Sequence, residues 1–208
     1  MDFLEEEGIY MLDYNIINQI KENALDNNIP IMMDDGIKFL KKYIRDHNIK
    51  NILEIGTAVG YSAIMMCDVS DDIFVTTIER DDKRYLEAIS NLKKVGLEDR
   101  IKLIYNDAFN VNLKEKFDLI FIDAAKAQNI NFFEKFQYNL KKGGTIITDN
   151  MNFHGLVFKD EKDIKSRNLR QLVKKVKLYK DFLNNNSDFS TEFLDVGDGL
   201  AISRFNEA

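Results

Sequence analysis

Apolar positions at helical spacing open the chain: Ile16, Ile17, Ile20 and Leu25 within residues 13–28, then Ile37, Leu40, Tyr43 and Ile44 within residues 34–47. That spacing predicts two helices, the second started by Asp34 and Asp35. Pro30, the only proline, falls in the turn between them. The pattern then changes to short β-rich runs at 51–55, 73–78, 101–105, 119–122 and 145–148, separated by helix-like segments. Strands alternating with helices imply a mostly parallel sheet covered on both faces. A long basic helix at about 163–183 precedes two last strands, 191–196 and 200–205. Gly197, Asp198 and Gly199 join these as a turn suited to an antiparallel hairpin. The expected architecture is α/β and Rossmann-like: a doubly wound, seven-stranded, mostly parallel sheet with an antiparallel C-terminal hairpin and extra N-terminal helices.

Composition narrows the class. At 208 residues the chain suits one domain over its whole length and is short for two. With 45% hydrophobic and 31% charged residues it is neither disordered nor fibrous. No stretch approaches the roughly 18 uninterrupted apolar residues of a membrane span, so no membrane partner is expected. The first ten residues, MDFLEEEGIY, are acidic where a secretory signal is basic and then apolar. The expected location is the cytoplasm. Cys67 is the only cysteine, which excludes an intrachain disulfide and a cysteine zinc cluster.

Ligands of open α/β sheets sit at the carboxyl ends of the strands, so the residues after each strand carry the chemistry. The first strand runs into Glu54-Ile-Gly56-Thr-Ala-Val-Gly60-Tyr-Ser62. A dinucleotide loop would need glycine at 56, 58 and 61, but Ala58 and Tyr61 stand there. The second strand ends in Glu79, whose carboxylate suits ribose hydroxyls. The third ends in Asn106-Asp107-Ala108, where a carboxylate and a backbone amide suit an adenine edge. Glycine turn, ribose acid and adenine acid describe an adenosine with nothing arranged for a pyrophosphate, which fits S-adenosylmethionine better than a dinucleotide.

The fourth strand leads into Asp123-Ala-Ala-Lys126 and the fifth into Asp149-Asn150. Adjacent strand ends lie about 5 Å apart, so Asp123, Asp149 and Asn150 are able to converge. Their oxygens make a hard site suited to Mg²⁺, or to Mn²⁺ or Ca²⁺ in its place. Capping of the loop by Asp149 and Asn150 is the plainer alternative.

Taken together, ILEIGTAVGYSA, Glu79, IDAAK and ITDN, in this order and spacing, resemble the metal-dependent class I O-methyltransferases of the catechol and caffeoyl-CoA type. The likeness continues through RNLRQLVKKV and VGDGLAISR and spans nearly the whole chain. It implies a class I methyltransferase fold and S-adenosylmethionine as cofactor. It further implies Asp123, Asp149 and Asn150 as ligands of Mg²⁺, and Lys126 as general base. Met32, Gly56, Ser62, Glu79, Asp107, Ala108 and Asp123 match the family's cofactor-contacting positions. Within the family the chain resembles the bacterial branch that methylates 5-hydroxyuridine at the tRNA wobble position, which implies tRNA as partner; a catechol-like or caffeoyl-CoA-like acceptor uses the same cofactor and metal residues. A non-catalytic nucleotide-sensing module is the reading from another class. A homodimer is the family expectation. Two features depart from the pattern. Ala127 and Asn129 stand where many relatives have Gly and Tyr, and Lys142-Gly143-Gly144 replaces Pro-Gly-Gly.

Lysine ordinarily titrates near about 10.4, so Lys126 acts as a base only if its site depresses that value. Electrostatic support of the acceptor oxygen is its other role. The charge distribution bears on the acceptor. The net charge is −6, yet residues 159–180 hold nine basic against three acidic residues, +6, leaving −12 on the remainder. Arg167, Arg170 and Lys174 share one face of the basic helix and form a candidate RNA-phosphate stripe. A solvated helix face is the plainer reading. His47 suits a helix C-terminus, His154 is placed to line the acceptor pocket, and Phe132 and Phe133 read as packing residues.

Overall fold

A computed structural model describes residues 12–206 of the chain. Two helices come first, α1 (Tyr14–Asp26) and α2 (Asp34–Asp46), each where the apolar spacing predicts it. Asp13 caps α1 by accepting from the Asn15 backbone N–H at 2.8 Å. The alternating region gives β1 (Asn51–Ile55), α3 (Tyr61–Cys67), β2 (Phe74–Glu79), α4 (Asp82–Val95), β3 (Ile101–Tyr105), β4 (Phe117–Ile122), α5 (Asn129–Phe136) and β5 (Leu140–Thr148). The long helix α6 (Arg167–Asn184) and the hairpin strands β6 (Phe189–Leu194) and β7 (Leu200–Phe205) complete the chain order.

All seven strands form one sheet in the order β3-β2-β1-β4-β5-β7-β6. The first five pair in parallel, and β7 runs antiparallel to both β5 and β6. This is the doubly wound arrangement, with the chain reversing its direction of travel at β1.

Alternation along the strands sends side chains to two cores. Ile52, Leu119, Phe121, Ile147, Leu200 and Ile202 face α1 to α4. Leu53, Ile55, Ile120, Ile122 and Ile146 face α5 and α6, where Phe133, Phe136, Tyr179 and Leu183 are buried. The near-continuous apolar runs of the central strands follow from burial on both faces. A third cluster, Phe153, Val157, Ile164, Val173 and Val176, packs the segment after β5 onto the start of α6.

Several boundaries differ from the sequence expectation, β4 for instance beginning at Phe117 instead of 119. Helix α6 starts at Arg167 instead of near 163, because Ser166 caps it and Glu161–Asp163 form a separate 3-10 turn. Strand β5 begins at Leu140, five residues early, by running through Lys142-Gly143-Gly144. Gly143 takes a left-handed φ of +70° and the pairing with β4 shifts register there, so a sequence that reads as a turn is a bulge. Strand β6 lies at 189–194, two residues earlier than its alternation predicts.

Candidate active site

Backbone hydrogen bonds continue the parallel ladder one residue past the strands. The Gly56 N–H donates to Ile78 O at 3.1 Å, Asp123 to Ile55 O at 3.0 Å, Asn106 to Glu79 O at 3.0 Å and Asp149 to Ile122 O at 3.1 Å. The five strand ends are therefore locked side by side and open on one cavity of about 320 Å³. Of the positions singled out in the sequence, Gly56, Glu79, Asp107, Ala108, Asp123, Lys126, Asp149 and Asn150 line it.

Gly56 is the floor of this cavity. Its φ is +100°, and a Cβ there would stand 2.3 Å from the Asp123 carbonyl oxygen. Only glycine lets the β1 and β4 ends approach this closely. Ala58 follows in a left-handed conformation, φ +47°, with its N–H donating to Glu79 Oε2 at 2.8 Å. The Arg80 and Asp81 N–H groups donate to Glu79 Oε1, both at 2.9 Å. Three of the four acceptor sites of the carboxylate are thus filled, and Oε2 keeps one free. Asp107 Oδ1 accepts from the Phe109 N–H at 2.9 Å, and Oδ2 lies 3.3 Å from Arg80 Nη1.

At the other end Asn150 Nδ2 donates to Asp123 Oδ1 at 2.8 Å, and the Asn150 N–H donates to Asp149 Oδ1 at 2.7 Å. Burial, opposed by the Lys126 charge and the Asn150 hydrogen bond, raises the Asp123 carboxyl above its usual range. Asp149 is pushed up to about 8, by burial first and then by the neighbouring Asp123 charge. Two carboxylates so placed, Asp149 buried and Asp123 partly buried, repel each other until a cation or protons balance them. Lys126 leaves the 3-10 turn Lys126–Gln128, and its Nζ lies 5.3 Å from the Phe153 ring centroid.

Two sequence-predicted cofactor residues stand apart from the cavity lining. Met32 is buried against Gly36. Ser62 turns away and donates to Glu54 Oε1 at 2.5 Å, while Thr77 donates to Glu54 Oε2 at 2.5 Å. Burial lifts the Glu54 carboxyl to about 8 against these two hydrogen bonds. The basic stripe is largely engaged within the protein. Arg170 Nη1 donates to the carbonyls of Ile164 at 2.5 Å and Lys165 at 3.1 Å, and Lys174 pairs with Glu161 at 3.1 Å. Arg167 is exposed at the helix start.

The sequence reading missed Pro30, Arg80, Arg84 and Phe132, all of which line the cavity. Arg80 and Arg84 had a signal, since they follow Glu79 by one and five residues near the start of α4. Phe132 stacks on Phe109 with centroids 4.8 Å apart, so it is both a packing residue and a wall. His154 is not among the lining residues.

The sequence profile described as O-methyltransferase matches residues 6–205. A Staphylococcus aureus protein assigned as a caffeoyl-CoA O-methyltransferase is 44% identical, with a TM-score of 0.86 over 91% of this chain and 92% of that one. The caffeoyl-CoA O-methyltransferase of Populus kitakamiensis is 25% identical over 215 residues, covering 97% of this chain and 91% of its own. The SAH-bound methyltransferase PaMTH1 of Podospora anserina, 24% identical, superposes with a TM-score of 0.81 over 96% of this chain and 89% of that one. Fold, strand-end cavity and a profile match over nearly the full length agree: this chain belongs to the O-methyltransferase family.

Proposed function

We propose that the chain transfers a methyl group from S-adenosylmethionine to a hydroxyl that has a second oxygen beside it, with a divalent cation held by Asp123, Asp149 and Asn150. The observation that carries this reading is the pair of carboxylates, Asp149 buried and Asp123 partly buried, beside an amide and a lysine, at one end of a cavity whose other end offers Glu79 and Asp107. Among the described residues no three His, Cys, Asp or Glu side chains cluster as a metal site. Two carboxylates and an amide instead give a hard, all-oxygen set with positions left for water and acceptor, which fits Mg²⁺ and its substitutes. When bound, such a cation lowers the pKa of an acceptor hydroxyl and orients it.

The chain's own residues do the rest. Glu79 Oε2 offers its free acceptor site to a ribose hydroxyl, and Asp107 faces the adenine end. Gly56 lets the cofactor approach the backbone. Lys126 stands beside the carboxylates, where it either takes the hydroxyl proton or supports the oxyanion. Held by these residues, S-adenosylmethionine would supply its sulfonium methyl group to the acceptor oxygen, the C–S bond's electron pair staying on the sulfur of the departing S-adenosylhomocysteine. Alignment of the two reactants supplies much of the rate.

The named relatives favour a catechol-like or caffeoyl-type acceptor, in which two phenolic oxygens are adjacent. A second reading, 5-hydroxyuridine in the tRNA anticodon, has the same chemistry in its 5-hydroxyl and 4-carbonyl. It is favoured by the +6 segment 159–180, whose helix α6 packs on the turn that carries Lys126.

Methyl transfer from labelled S-adenosylmethionine to a catechol panel and to tRNA carrying 5-hydroxyuridine, each with Mg²⁺ and with chelator, tests both. Chelator-sensitive transfer is expected, with Asp149→Ala at least 100-fold slower. Transfer to neither acceptor refutes the reading, and the preferred acceptor decides between its two forms.

A further inference from the structure

The loop after β5 has an unusual backbone. Asn150, Phe153 and His154 take left-handed φ values of +66°, +47° and +53°, and Gly155 follows at +74°. Non-glycine residues rest in this region only where their surroundings hold them there. Here the holding element is the turn between β6 and β7. The Asp198 carbonyl accepts from the Asn152 N–H at 2.7 Å, and the Gly199 carbonyl accepts from the Met151 N–H at 2.9 Å. Asp198 Oδ1 accepts from the His154 N–H at 2.5 Å, and Asp195 Oδ1 accepts from Asn152 Nδ2 at 2.7 Å. The fit is close enough that a Cβ on Gly199 would stand 2.9 Å from the Asn152 backbone nitrogen.

Asp198 itself is 7% exposed, and its Oδ2 has no hydrogen-bond partner. The nearest basic group is the ring of His154, whose Nδ1 is 3.4 Å away on a largely exposed side chain. A buried carboxylate with an unpartnered oxygen weakens folding, so the turn carries it for something other than stability. The loop it grips holds two parts of the candidate site. Asn150 is at its start, on Asp123, and Phe153 is in its middle, under Lys126. Among the described residues Asp198 does not form a three-carboxylate metal cluster with Asp123 and Asp149, although its charge reaches both and raises their carboxyls.

We propose that Asp198 is a positioning residue: from the β6–β7 turn it fixes the 150–155 loop, and so aims Asn150 at the cation site and seats Lys126 on Phe153. This rests on the proposed function, which makes Asn150 a cation ligand. Partners that orient a ligand typically change metal affinity 10- to 100-fold when removed.

The test uses the full chain and Mn²⁺, whose free hexaaqua ion is counted by electron paramagnetic resonance. S-adenosylmethionine affinity is measured by calorimetry and folding by thermal melting. Asp198→Ala should weaken Mn²⁺ binding at least tenfold while cofactor affinity stays within twofold. Asp198→Asn keeps an oxygen for the His154 N–H and should recover Mn²⁺ binding to within threefold of the unsubstituted protein. If Asp198→Ala does not fold, Asp195→Ala, which cuts the exposed outer tether of the same loop, should weaken Mn²⁺ about threefold. Undiminished Mn²⁺ affinity in the folded alanine variant overturns the proposal alone, as does a parallel loss of Mn²⁺ and cofactor binding. An unsubstituted protein that takes up no Mn²⁺ overturns the proposed cation site together with it.

Discussion

Glu54 is an acid held in surroundings that oppose its charge. It is fully buried within β1, receives hydroxyl hydrogen bonds from Ser62 and Thr77, and is pushed up to about 8. In the unfolded chain a glutamate titrates near about 4.3. Between these values the folded protein holds a proton that the unfolded chain has lost, so folding takes up a proton and stability falls as pH rises. Below this window the contribution is complete, and above about 8 it is gone. The expected slope is on the order of 1 kcal/mol per pH unit. Glu54→Gln keeps the shape and cannot ionise, so its urea midpoint should vary less between pH 5 and 8 than that of the unsubstituted protein. Equal slopes would mean that Glu54 is ionised in the fold. Gly56 makes the complementary case for geometry. Placing a methyl group 2.3 Å from the Asp123 carbonyl at φ +100° should cost about 2 kcal/mol or more. Gly56→Ala should therefore melt earlier and lose cofactor binding, read by thermal melting and calorimetry.

At the scale of elements, period and punctuation made most of the fold legible. The 3.6-residue spacing of Ile37, Leu40 and Ile44 places α2, and the five apolar runs place the parallel strands that carry the site. Glu79, Asp107, Asp123 and Asp149 were legible as residues of one cavity because a parallel sheet brings its strand ends to one edge. What failed was whatever a tertiary partner decides. The direction of the Ser62 side chain depends on Glu54 across α3 and β1, and no local pattern encodes it. The employment of Arg170 is of the same kind: its charge reads as a surface stripe, but its guanidinium ties down the carbonyls of Ile164 and Lys165 before α6 begins. Removing it should cost about 1 kcal/mol, a fall in melting temperature of about 2–4 °C for a chain of this size. Arg167→Ala, at an exposed position, should leave melting unchanged. If tRNA is the acceptor, it should also flatten the salt dependence of binding, because one phosphate contact fewer releases fewer counterions. Arg167→Ala and Arg170→Ala melting alike would remove the distinction drawn here.

Considered whole, the molecule keeps its structural stability and its candidate chemistry in different places. Two apolar cores hold the sheet from either face, while the cavity at the strand ends gathers carboxylates that repel one another. Ligands that relieve this repulsion, and that bind only the folded chain, should stabilise the protein as a whole. At 100 times its dissociation constant a single ligand contributes about 2.7 kcal/mol, or roughly 5–10 °C of melting temperature at this chain length. S-adenosylmethionine should raise the melting temperature on this scale, and Mg²⁺ should add a further increment. The two effects separate by position. Glu79→Ala removes the carboxylate at the adenosine end and should abolish the cofactor shift while Mg²⁺ still stabilises. Asp149→Ala removes one of the paired carboxylates, so it should melt no earlier than the unsubstituted apoprotein, keep the cofactor shift and lose the Mg²⁺ increment. A Mg²⁺ increment that survives Asp149→Ala would place the cation elsewhere and leave Asp123 and Asp149 without their proposed role.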